Sequence, residues 1–196
     1  MAEDSEQMGT QVPLYKEILY TESQVDSRIA QMAADITRIY KGANTLFVSL
    51  LNGAQPFTAK LMRAIQLHDP YFHPNVQSMI VSRYGASREG GEPRLVTDLP
   101  PDYRDLTNRH VVLLDDLVDG GGTTDFTERH LYAYGAATVE RIVLVKKLKV
   151  PPIEAKVAMY GFEAPDVWLT GMGMDNVHLA PEANRWAGWI AIARSD

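Results

Sequence analysis

Mostly apolar side chains recur every three or four residues in three segments of the chain, and this spacing predicts three amphipathic helices. The first helix is predicted to begin near Ser23, where Ser23 and Asp26 form a capping pair, and to stop at Gly42. The third is predicted to stop at Gly135. The periodic positions of the three helices are Val25, Ile29, Met32, Ile36 and Ile39; Phe57, Leu61, Ala64 and Ile65; and Phe126, His130, Leu131 and Tyr134.

Apolar runs of strand length alternate with these helices. They are TLFVSLL at 45–51, VQSMIVS at 76–82, VVLL at 111–114 and TVERIVLVKK at 138–147. Runs that are continuously apolar, rather than apolar at every second position, indicate strands that are buried on both faces. The alternation therefore predicts an α/β fold in which a mostly parallel sheet carries helices on both faces.

One long segment interrupts this alternation. Residues 84–110 are rich in glycine, proline and charged side chains. Loops of that length are uncommon unless they have a function or contain a short hairpin, so the segment predicts one or the other.

Composition narrows the class of protein. The net charge of −6 disfavours a polyanionic partner, so no nucleic acid is expected. No apolar stretch approaches the roughly 20 residues of a membrane span, so no membrane partner is expected. The chain contains no cysteine, so any metal must be held by oxygen or imidazole ligands. The polar N-terminus does not resemble a signal peptide, which predicts a cytoplasmic location and a flexible tail over residues 1–12.

Acids and glycines are concentrated in VVLLDDLVDGGGTT, residues 111–124, at the end of a predicted strand. In α/β sheets, ligands bind outside the carboxyl ends of the strands. Three consecutive glycines can turn several N–H groups towards one phosphate, and Thr123 adds a hydroxyl. The adjacent carboxylates Asp115 and Asp116 repel one another unless they meet Mg²⁺ or a polyol, so the pattern favours a phosphorylated sugar with a metal. The alternative is a solvated, acidic surface turn.

Other nucleotide-binding motifs do not fit this stretch. The chain has no GxGxxG sequence, and no lysine follows the glycines as it does in a P-loop. The pattern therefore favours neither dinucleotide binding nor Walker-type binding.

The same stretch resembles the phosphoribosyl pyrophosphate (PRPP) signature of the type I phosphoribosyltransferases. Further segments resemble the hypoxanthine-guanine phosphoribosyltransferases within that superfamily, in the same order over nearly the whole chain. These segments are LLNG (50–53) for the pyrophosphate loop, VSRYG (81–85) for the start of the mobile active-site loop, VKK (145–147) for the purine-reading lysine and PDVWLTGMGMDN (165–176) for the base-binding segment.

The resemblance implies the type I phosphoribosyltransferase fold, with a small hood over the C-terminal strand ends. It implies a single domain over residues 13–196, a mobile active-site loop at 84–110, and hood segments at 13–22 and 150–196. It also implies a homo-oligomer, either a dimer or a tetramer.

Residue roles follow from the same resemblance. Asp119 is the implied catalytic acid, which faces N7 of the purine, and Mg²⁺ is the implied cofactor, with Asp115, Asp116 and Asp175 as its ligands. The remaining implied site residues are Asp115, Asp116, Gly120, Gly121, Gly122 and Thr123 for the ribose and 5′-phosphate of PRPP; Asn52, Gly53 and Arg185 for pyrophosphate; Lys147, Trp168, Leu169 and Asp175 for the purine; and Arg83 and Tyr84 in the mobile loop.

Two neighbouring lysines compete for the purine-reading role. The family spacing from the catalytic acid selects Lys147, whereas strand alternation sends Lys146 to the opposite face. A lysine donates to a 6-oxo group and meets a second donor in the amino group of adenine, so it favours 6-oxopurines.

The implied function is purine salvage: transfer of the phosphoribosyl group of PRPP to N9 of hypoxanthine or guanine, which gives IMP or GMP and pyrophosphate. Two alternatives stay open, namely another base such as xanthine, and a non-catalytic regulator that senses PRPP or a nucleotide. Departures from the family pattern bear on this choice. Asn52, Gly122 and Val167 stand where better-known members carry basic residues, and Arg83-Tyr84 replaces a Ser-Tyr pair.

Overall fold

The computed structural model describes residues 14–82, 91–150, 156–176 and 183–194. The predicted tail (1–12) and the predicted loop residues Arg83 and Tyr84 lie outside these described residues. None of the helices within the described ranges is long and apolar enough to cross a membrane.

Strands and helices alternate through most of the described chain. The elements in order are β1 (Tyr15–Tyr20), α1 (Glu22–Tyr40), β2 (Thr45–Leu51), α2 (Gln55–His68), β3 (Asn75–Ser82), β4 (Arg94–Thr97), β5 (His110–Val118), α3 (Gly122–Ala133), β6 (Thr138–Leu148), β7 (Met159–Pro165), β8 (Leu169–Thr170) and β9 (Ile190–Ala193). A 3₁₀ helix, Pro101–Tyr103, lies between β4 and β5.

A six-stranded sheet with the order β4-β3-β2-β5-β6-β7 forms the centre of the fold. Every neighbouring pair is parallel except β3 and β4, which are antiparallel. Alternate residues of β5 face opposite sides: Val112 and Leu114 pack with α1 and α2, whereas Val111 and Leu113 pack with Leu131 of α3. The prediction of a mostly parallel sheet covered on both faces is confirmed, and the carboxyl ends of β2, β3, β5 and β6 lie along one edge.

A second, three-stranded sheet with the order β1-β9-β8, called the hood below, takes its strands from the predicted hood segments 13–22 and 150–196, whereas β7, which lies in the second segment, belongs to the central sheet. Its strands are antiparallel and join residues from the two ends of the described chain, for instance Ile18 with Ala191. Arg28 of α1 donates to the carbonyl oxygens of Gly161 (2.9 Å) and Tyr160 (2.8 Å), which anchors α1 to β7 below the hood.

The predicted start of the first helix is wrong by two residues. The N-cap is Thr21, whose hydroxyl accepts from the Gln24 N–H at 3.4 Å, while its own N–H donates to Gln24 Oε1 at 2.9 Å. Thr21 and Gln24 therefore form the capping pair, three residues apart, that the prediction assigned to Ser23 and Asp26. Asp26 instead forms an ion pair with Lys60 of α2 at 2.5 Å.

The strand that carries the acid pair is longer than its apolar run. It extends from His110 to Val118, so Asp115 and Asp116 lie within β5 rather than beyond its end. Pairing with β6 continues through Asp115 opposite Val143 and Val118 opposite Lys146, and these main-chain bonds hold the acids in extended backbone.

Part of the segment predicted as a loop over 84–110 has regular structure. It contains β4, which pairs antiparallel with β3, and the hairpin alternative therefore applies to its first half. Leu99 and Leu106 are completely buried in the core on the α3 side of the sheet. The mobility of the segment stays a prediction.

Candidate active site

Two adjoining cavities open at the carboxyl ends of the central strands and form one cleft. Their volumes are about 240 Å³ and 440 Å³, and both are lined by Gly53, Asp116, Asp119 and Thr123. The smaller cavity contains the predicted phosphate residues, Gly120 to Thr123. The larger contains the predicted purine and pyrophosphate residues, namely Asn52, Lys147, Trp168, Leu169, Asp175 and Arg185. The structure thus brings the predicted residues of the described chain together in one cleft.

The N-terminus of α3 forms the floor of the smaller cavity. Its N-cap, Gly121, has φ 78° and ψ −14°, a left-handed conformation that glycine adopts without strain, and no side chain caps the helix. The Thr124 hydroxyl donates to the Gly121 carbonyl at 2.8 Å and fixes the turn. The N–H groups of the first helical turn therefore remain available to an anion, and the positive end of the helix dipole favours one there.

Asp115 and Asp116 form a coupled acid pair on the wall of the cleft. The Asp116 N–H donates to Asp115 Oδ1 at 3.1 Å. Burial raises the pKa of Asp116 to about 6, and burial together with the neighbouring Asp116 charge raises the pKa of Asp115. A cation or hydroxyl donors would stabilise the ionised form of two such buried, adjacent carboxylates.

The donor set fits a magnesium ion that is shared with a substrate. Among the described residues, no group of three or more His, Asp or Glu side chains is arranged to hold a metal by itself. Mg²⁺ is usually bound by one or two carboxylates together with substrate phosphates, and Asp115 and Asp116 provide such a partial set.

The turn at Asn52 and Gly53 lies directly against Asp116. A Cβ atom at Gly53 would be 2.5 Å from Asp116 Oδ2, a separation that real Cβ atoms essentially never show. On the other side, a Cβ atom at Gly173 of the hood would be 1.7 Å from the Gly53 carbonyl oxygen. These glycines allow the hood, the turn and β5 to stack closely, which places the main chain of the turn beside Asp116. The peptide bond between Leu51 and Asn52 is cis.

The hood supplies one wall of the larger cavity. Trp168 is 38% exposed, and its indole N–H donates to the Asp175 carbonyl oxygen at 2.9 Å. The Trp168 carbonyl in turn accepts from Ala193 N at 2.8 Å, and Leu169 pairs with Ile192 of β9. The aromatic ring is therefore fixed at its edge and lies in the cavity wall, as the resemblance implies.

Arg185 is held inside the hood. Its guanidinium donates to Asp175 Oδ2 at 3.0 Å and to the Gly173 carbonyl at 2.7 Å, and its side chain is only 11% exposed. Arg185 is therefore not a solvent-exposed surface arginine. Val167 packs against the core. An apolar contact therefore stands at the position where better-known members of the family carry a basic residue.

The two neighbouring lysines of β6 face opposite ways, as strand alternation predicts. Lys146 lies 5.2 Å from the ring centroid of Tyr160, whereas Lys147 is 6% exposed and lines the larger cavity. Lys147 Nζ is 3.5 Å from Asp119 Oδ2, so the predicted catalytic acid and the predicted purine-reading lysine are in contact.

Two charged residues that the sequence pattern did not predict, Lys149 and Asp166, lie beside Asp119 and Lys147. Lys149 forms an ion pair with Asp119 Oδ1, and Asp166 Oδ1 lies 3.7 Å from Lys147 Nζ and 3.6 Å from Lys149 Nζ. Burial alone would raise the pKa of Asp119, but the ion pairs with Lys149 and Lys147 bring it below its ordinary value. We call these four side chains the lysine-acid cluster.

A signal for these residues exists in the sequence. Lys149 follows Lys147 by two positions and therefore continues the same face of the strand. Leu148 of β6 pairs with Pro165 of β7. The residues that follow, Lys149 and Asp166, therefore lie next to each other just beyond the ends of the two strands. Alternation alone predicts the first placement, whereas the second requires the register of the sheet.

Comparisons with known proteins find relatives of this chain in sequence and in fold. The model of the phosphoribosyl transferase domain matches residues 17–176. Hypoxanthine-guanine phosphoribosyltransferases from Streptococcus mutans and Mycobacterium avium are 29% and 30% identical to the chain, over 82% of the chain and 85% and 78% of their own lengths. The crystal structure of a hypoxanthine-guanine phosphoribosyltransferase from Bacillus anthracis is similar in fold, with a TM-score of 0.76 at 23% identity over 92% of the chain and 99% of that structure.

Proposed function

The chain belongs to the phosphoribosyltransferase family, and from this premise we propose that it is a purine salvage enzyme. The proposed reaction transfers the 5-phosphoribosyl group of PRPP to N9 of hypoxanthine or guanine, which gives IMP or GMP and pyrophosphate. The observation that carries the proposal is the order of groups along one cleft: an anion cradle at Gly121, an acid pair at Asp116, and the contact between Asp119 and Lys147 at 3.5 Å. This order matches the order of phosphate, ribose and purine in the nucleotide product.

PRPP is proposed to occupy the end of the cleft that α3 closes. The N–H groups from Gly120 to Thr123 bind the 5′-phosphate, because the uncapped helix end leaves them without partners from the helix. Asp115 and Asp116 bind the ribose hydroxyls. The turn at Asn52 and Gly53 faces pyrophosphate, with main-chain groups in place of the basic side chain of better-known members.

Mg²⁺ is the proposed cofactor, with Asp115 and Asp116 as ligands on one side of the substrate and Asp175 on the other. Arg185 orients Asp175 through the contact at 3.0 Å and adds positive charge at the pyrophosphate end. When bound, Mg²⁺ neutralises the leaving pyrophosphate.

Asp119 is the proposed catalytic acid-base residue. As N9 attacks the anomeric carbon, the N9–C1′ bond forms and the bond from C1′ to the pyrophosphate oxygen breaks. The proton on N7 passes to the Asp119 carboxylate, whose negative charge beforehand also stabilises the positive charge that develops on the sugar. The alignment of both substrates in one cleft supplies a further part of the acceleration.

Lys147 and the hood determine the proposed choice of base. Lys147 donates to the 6-oxo group, and adenine presents a donor amino group at the same position. Trp168 stacks on the purine, and main-chain groups of Leu169 meet the edge of the base. The contact between Lys147 and Asp119 supports an enzyme over a ligand-sensing regulator, because it pairs a base-reading group with a proton acceptor. A cytoplasmic homo-oligomer, dimer or tetramer, completes the proposal.

The test is nucleotide formation from PRPP and Mg²⁺ with hypoxanthine, guanine, xanthine and adenine in parallel. Hypoxanthine and guanine are expected to react, and Asp119→Asn is expected to reduce kcat by about 10²- to 10⁴-fold, the usual contribution of a positioned acid-base group. Lys147→Met should remove the discrimination against adenine. Lys146→Met is its matched control, because that neighbouring lysine faces the opposite side of the sheet and should leave base choice unchanged.

Two results would contradict the proposal. Turnover of xanthine alone would replace the proposed bases, and PRPP binding without turnover of any base would identify a sensor.

A further inference from the structure

We propose that Lys149 is a positioning residue that moves between two carboxylates: it pairs with Asp119 in the free enzyme and with Asp166 when a purine is bound. This inference rests on the proposed function and deepens it, because it concerns how the purine gains access to Asp119.

The geometry of the lysine-acid cluster provides both positions. Lys149 Nζ lies in direct contact with Asp119 Oδ1 and 3.6 Å from Asp166 Oδ1. Its side chain is 30% exposed, so it retains the freedom to rotate that a fully buried lysine lacks. A small rotation therefore exchanges one partner for the other without leaving the ammonium unpaired.

Binding of the base makes the exchange necessary. Asp119 offers two oxygens, and in the free structure Oδ2 faces Lys147 while Oδ1 faces Lys149. In the proposed complex Lys147 turns to the 6-oxo group, and N7–H donates to Asp119. A lysine that stayed on Asp119 would compete with N7–H for the carboxylate and would oppose acceptance of the N7 proton, since a nearby cation favours the charged form of an acid.

The electrostatics of the cluster agree with this order of events. The ion pair with Asp119 raises the pKa of Lys149, so Lys149 carries its charge throughout the physiological range and needs a counter-ion in both states. Asp166 is the second acid within reach among the described residues. The exchange therefore leaves Lys149 paired with an acid in both states.

A double-mutant cycle on the KM for the base tests the proposal. Steady-state kinetics with hypoxanthine are measured at saturating PRPP and Mg²⁺ for the wild type, Lys149→Met, Asp166→Asn and the double variant. D166N removes the second position and is expected to raise the KM for the base by about twofold to fivefold, the range of part-exposed ion pairs. K149M removes the competitor and is expected to lower that KM by a similar factor. In the K149M background, D166N is expected to have no effect.

Matched variants separate positioning from folding. Lys149→Arg keeps the charge and the reach and should restore behaviour close to wild type, and the KM for PRPP should stay constant in every variant. A purely structural role would instead change kcat, both KM values and Tm together. An equal effect of D166N in both backgrounds would show that Asp166 acts through Lys147, and this result would overturn the inference while leaving the proposed function intact.

The pairing of Lys149 in the ligand-free protein can be tested without measuring turnover. The side-chain NMR signal of Lys149, assigned by its loss in K149M, gives the pKa of that lysine in the ligand-free protein. Asp119→Asn is expected to lower this pKa, and Asp166→Asn is expected to lower it less, because Asp166 lies 3.6 Å from Lys149 Nζ whereas Asp119 is in direct contact. A larger effect of D166N would contradict the pairing with Asp119, whether or not any base proves to be a substrate.

Discussion

Replacement of Asp116 with asparagine is expected to stabilise the ligand-free protein while it removes activity. The carboxylate of Asp116 lies beside Asp115 in β5 and near Asp175 of the hood, and burial raises its pKa to about 6. An amide of the same shape keeps the packing against Gly53 but carries no charge. The acid pair therefore lowers the stability of the ligand-free protein, and its proposed role in binding explains why it is present.

The pKa gives the size of this cost. Its rise from 3.8 to about 6 is roughly two units, which corresponds to about 3 kcal/mol at neutral pH. Solvent reduces this figure, because the Asp116 side chain is only part-buried, and part of the shift belongs to the interaction with Asp115. The gain in the free energy of unfolding for Asp116→Asn is therefore expected to be about 1–2 kcal/mol. For a chain of this length, that gain corresponds to a rise in Tm of about 2–8 °C.

The pH dependence follows from the direction of the shift. An acid whose pKa is raised in the folded state destabilises that state. The destabilisation is complete above the folded pKa, near 6, and disappears below the unfolded pKa of 3.8. The Tm difference between Asp116→Asn and wild type should therefore be largest near pH 8 and shrink as the pH falls through 6 towards 4.5.

Thermal unfolding in a metal chelator, followed by circular dichroism at several pH values, measures this difference. Asp102→Asn, at an exposed acid of the 3₁₀ helix, is the matched control and should show no pH-dependent gain. A lower Tm for Asp116→Asn at pH 8, or a gain that is equal at pH 4.5 and pH 8, would refute the reasoning. PRPP with Mg²⁺ should raise the Tm of the wild type and leave that of the variant unchanged.

Three further changes have defined outcomes. Gly53→Ala places a methyl group 2.5 Å from Asp116 Oδ2 and should raise the KM for PRPP at least tenfold in steady-state assays, because the acid must move. Leu61→Ala opens a cavity at a completely buried site and should lower the free energy of unfolding by about 2–5 kcal/mol in urea titrations, without a change in either KM. Trp168→Phe keeps an aromatic ring at the proposed base site but frees the Asp175 carbonyl, which accepts the indole N–H at 2.9 Å. This extra acceptor should raise the ratio of kcat/KM for guanine over hypoxanthine by about twofold to tenfold, since guanine alone carries a 2-amino donor.

Controls for these variants come from the same chain. Gly120→Ala adds a methyl group that meets nothing within 4 Å, so it should leave the Tm of the ligand-free protein unchanged, whereas Gly53→Ala should lower it. A KM for PRPP that is unaltered in Gly53→Ala would show that Asp116 yields without loss of binding. An unaltered base ratio in Trp168→Phe would show that guanine does not use the Asp175 carbonyl.

The sequence predicts the central strands β2, β5 and β6 well because they are buried along most of their length, whereas the edge strands β4 and β7 are largely exposed or half-buried and were not predicted. TLFVSLL at 45–51 has no polar position other than Thr45 and Ser49, and β2 has the same bounds as that run. The acid pair is harder, since Asp115 and Asp116 end the apolar run without ending the strand. Their backbone is fixed by pairing with β6, which the composition of the segment itself does not reveal.

The hood required the family resemblance, because its strands are short and pair over long distances along the chain. β8 contains two residues, and β1 pairs with β9 across most of the described sequence. No local pattern distinguishes such strands from turns, and only the tertiary contacts decide their conformation.

The same distinction explains which part of the site was found and which was missed. The glycine cradle and the acid pair lie within fourteen consecutive residues, 111–124, so their spacing along the chain is already the spacing of the chemistry. Asp166 reaches Lys149 only because Leu148 and Pro165 are paired neighbours in adjacent strands, 17 positions apart in the chain. A shift of one residue in that register would turn the following side chains to the opposite face and separate the two charges. The lysine-acid cluster is therefore a property of the sheet, and the residues that adjust the proposed reaction are those that a motif alone cannot specify.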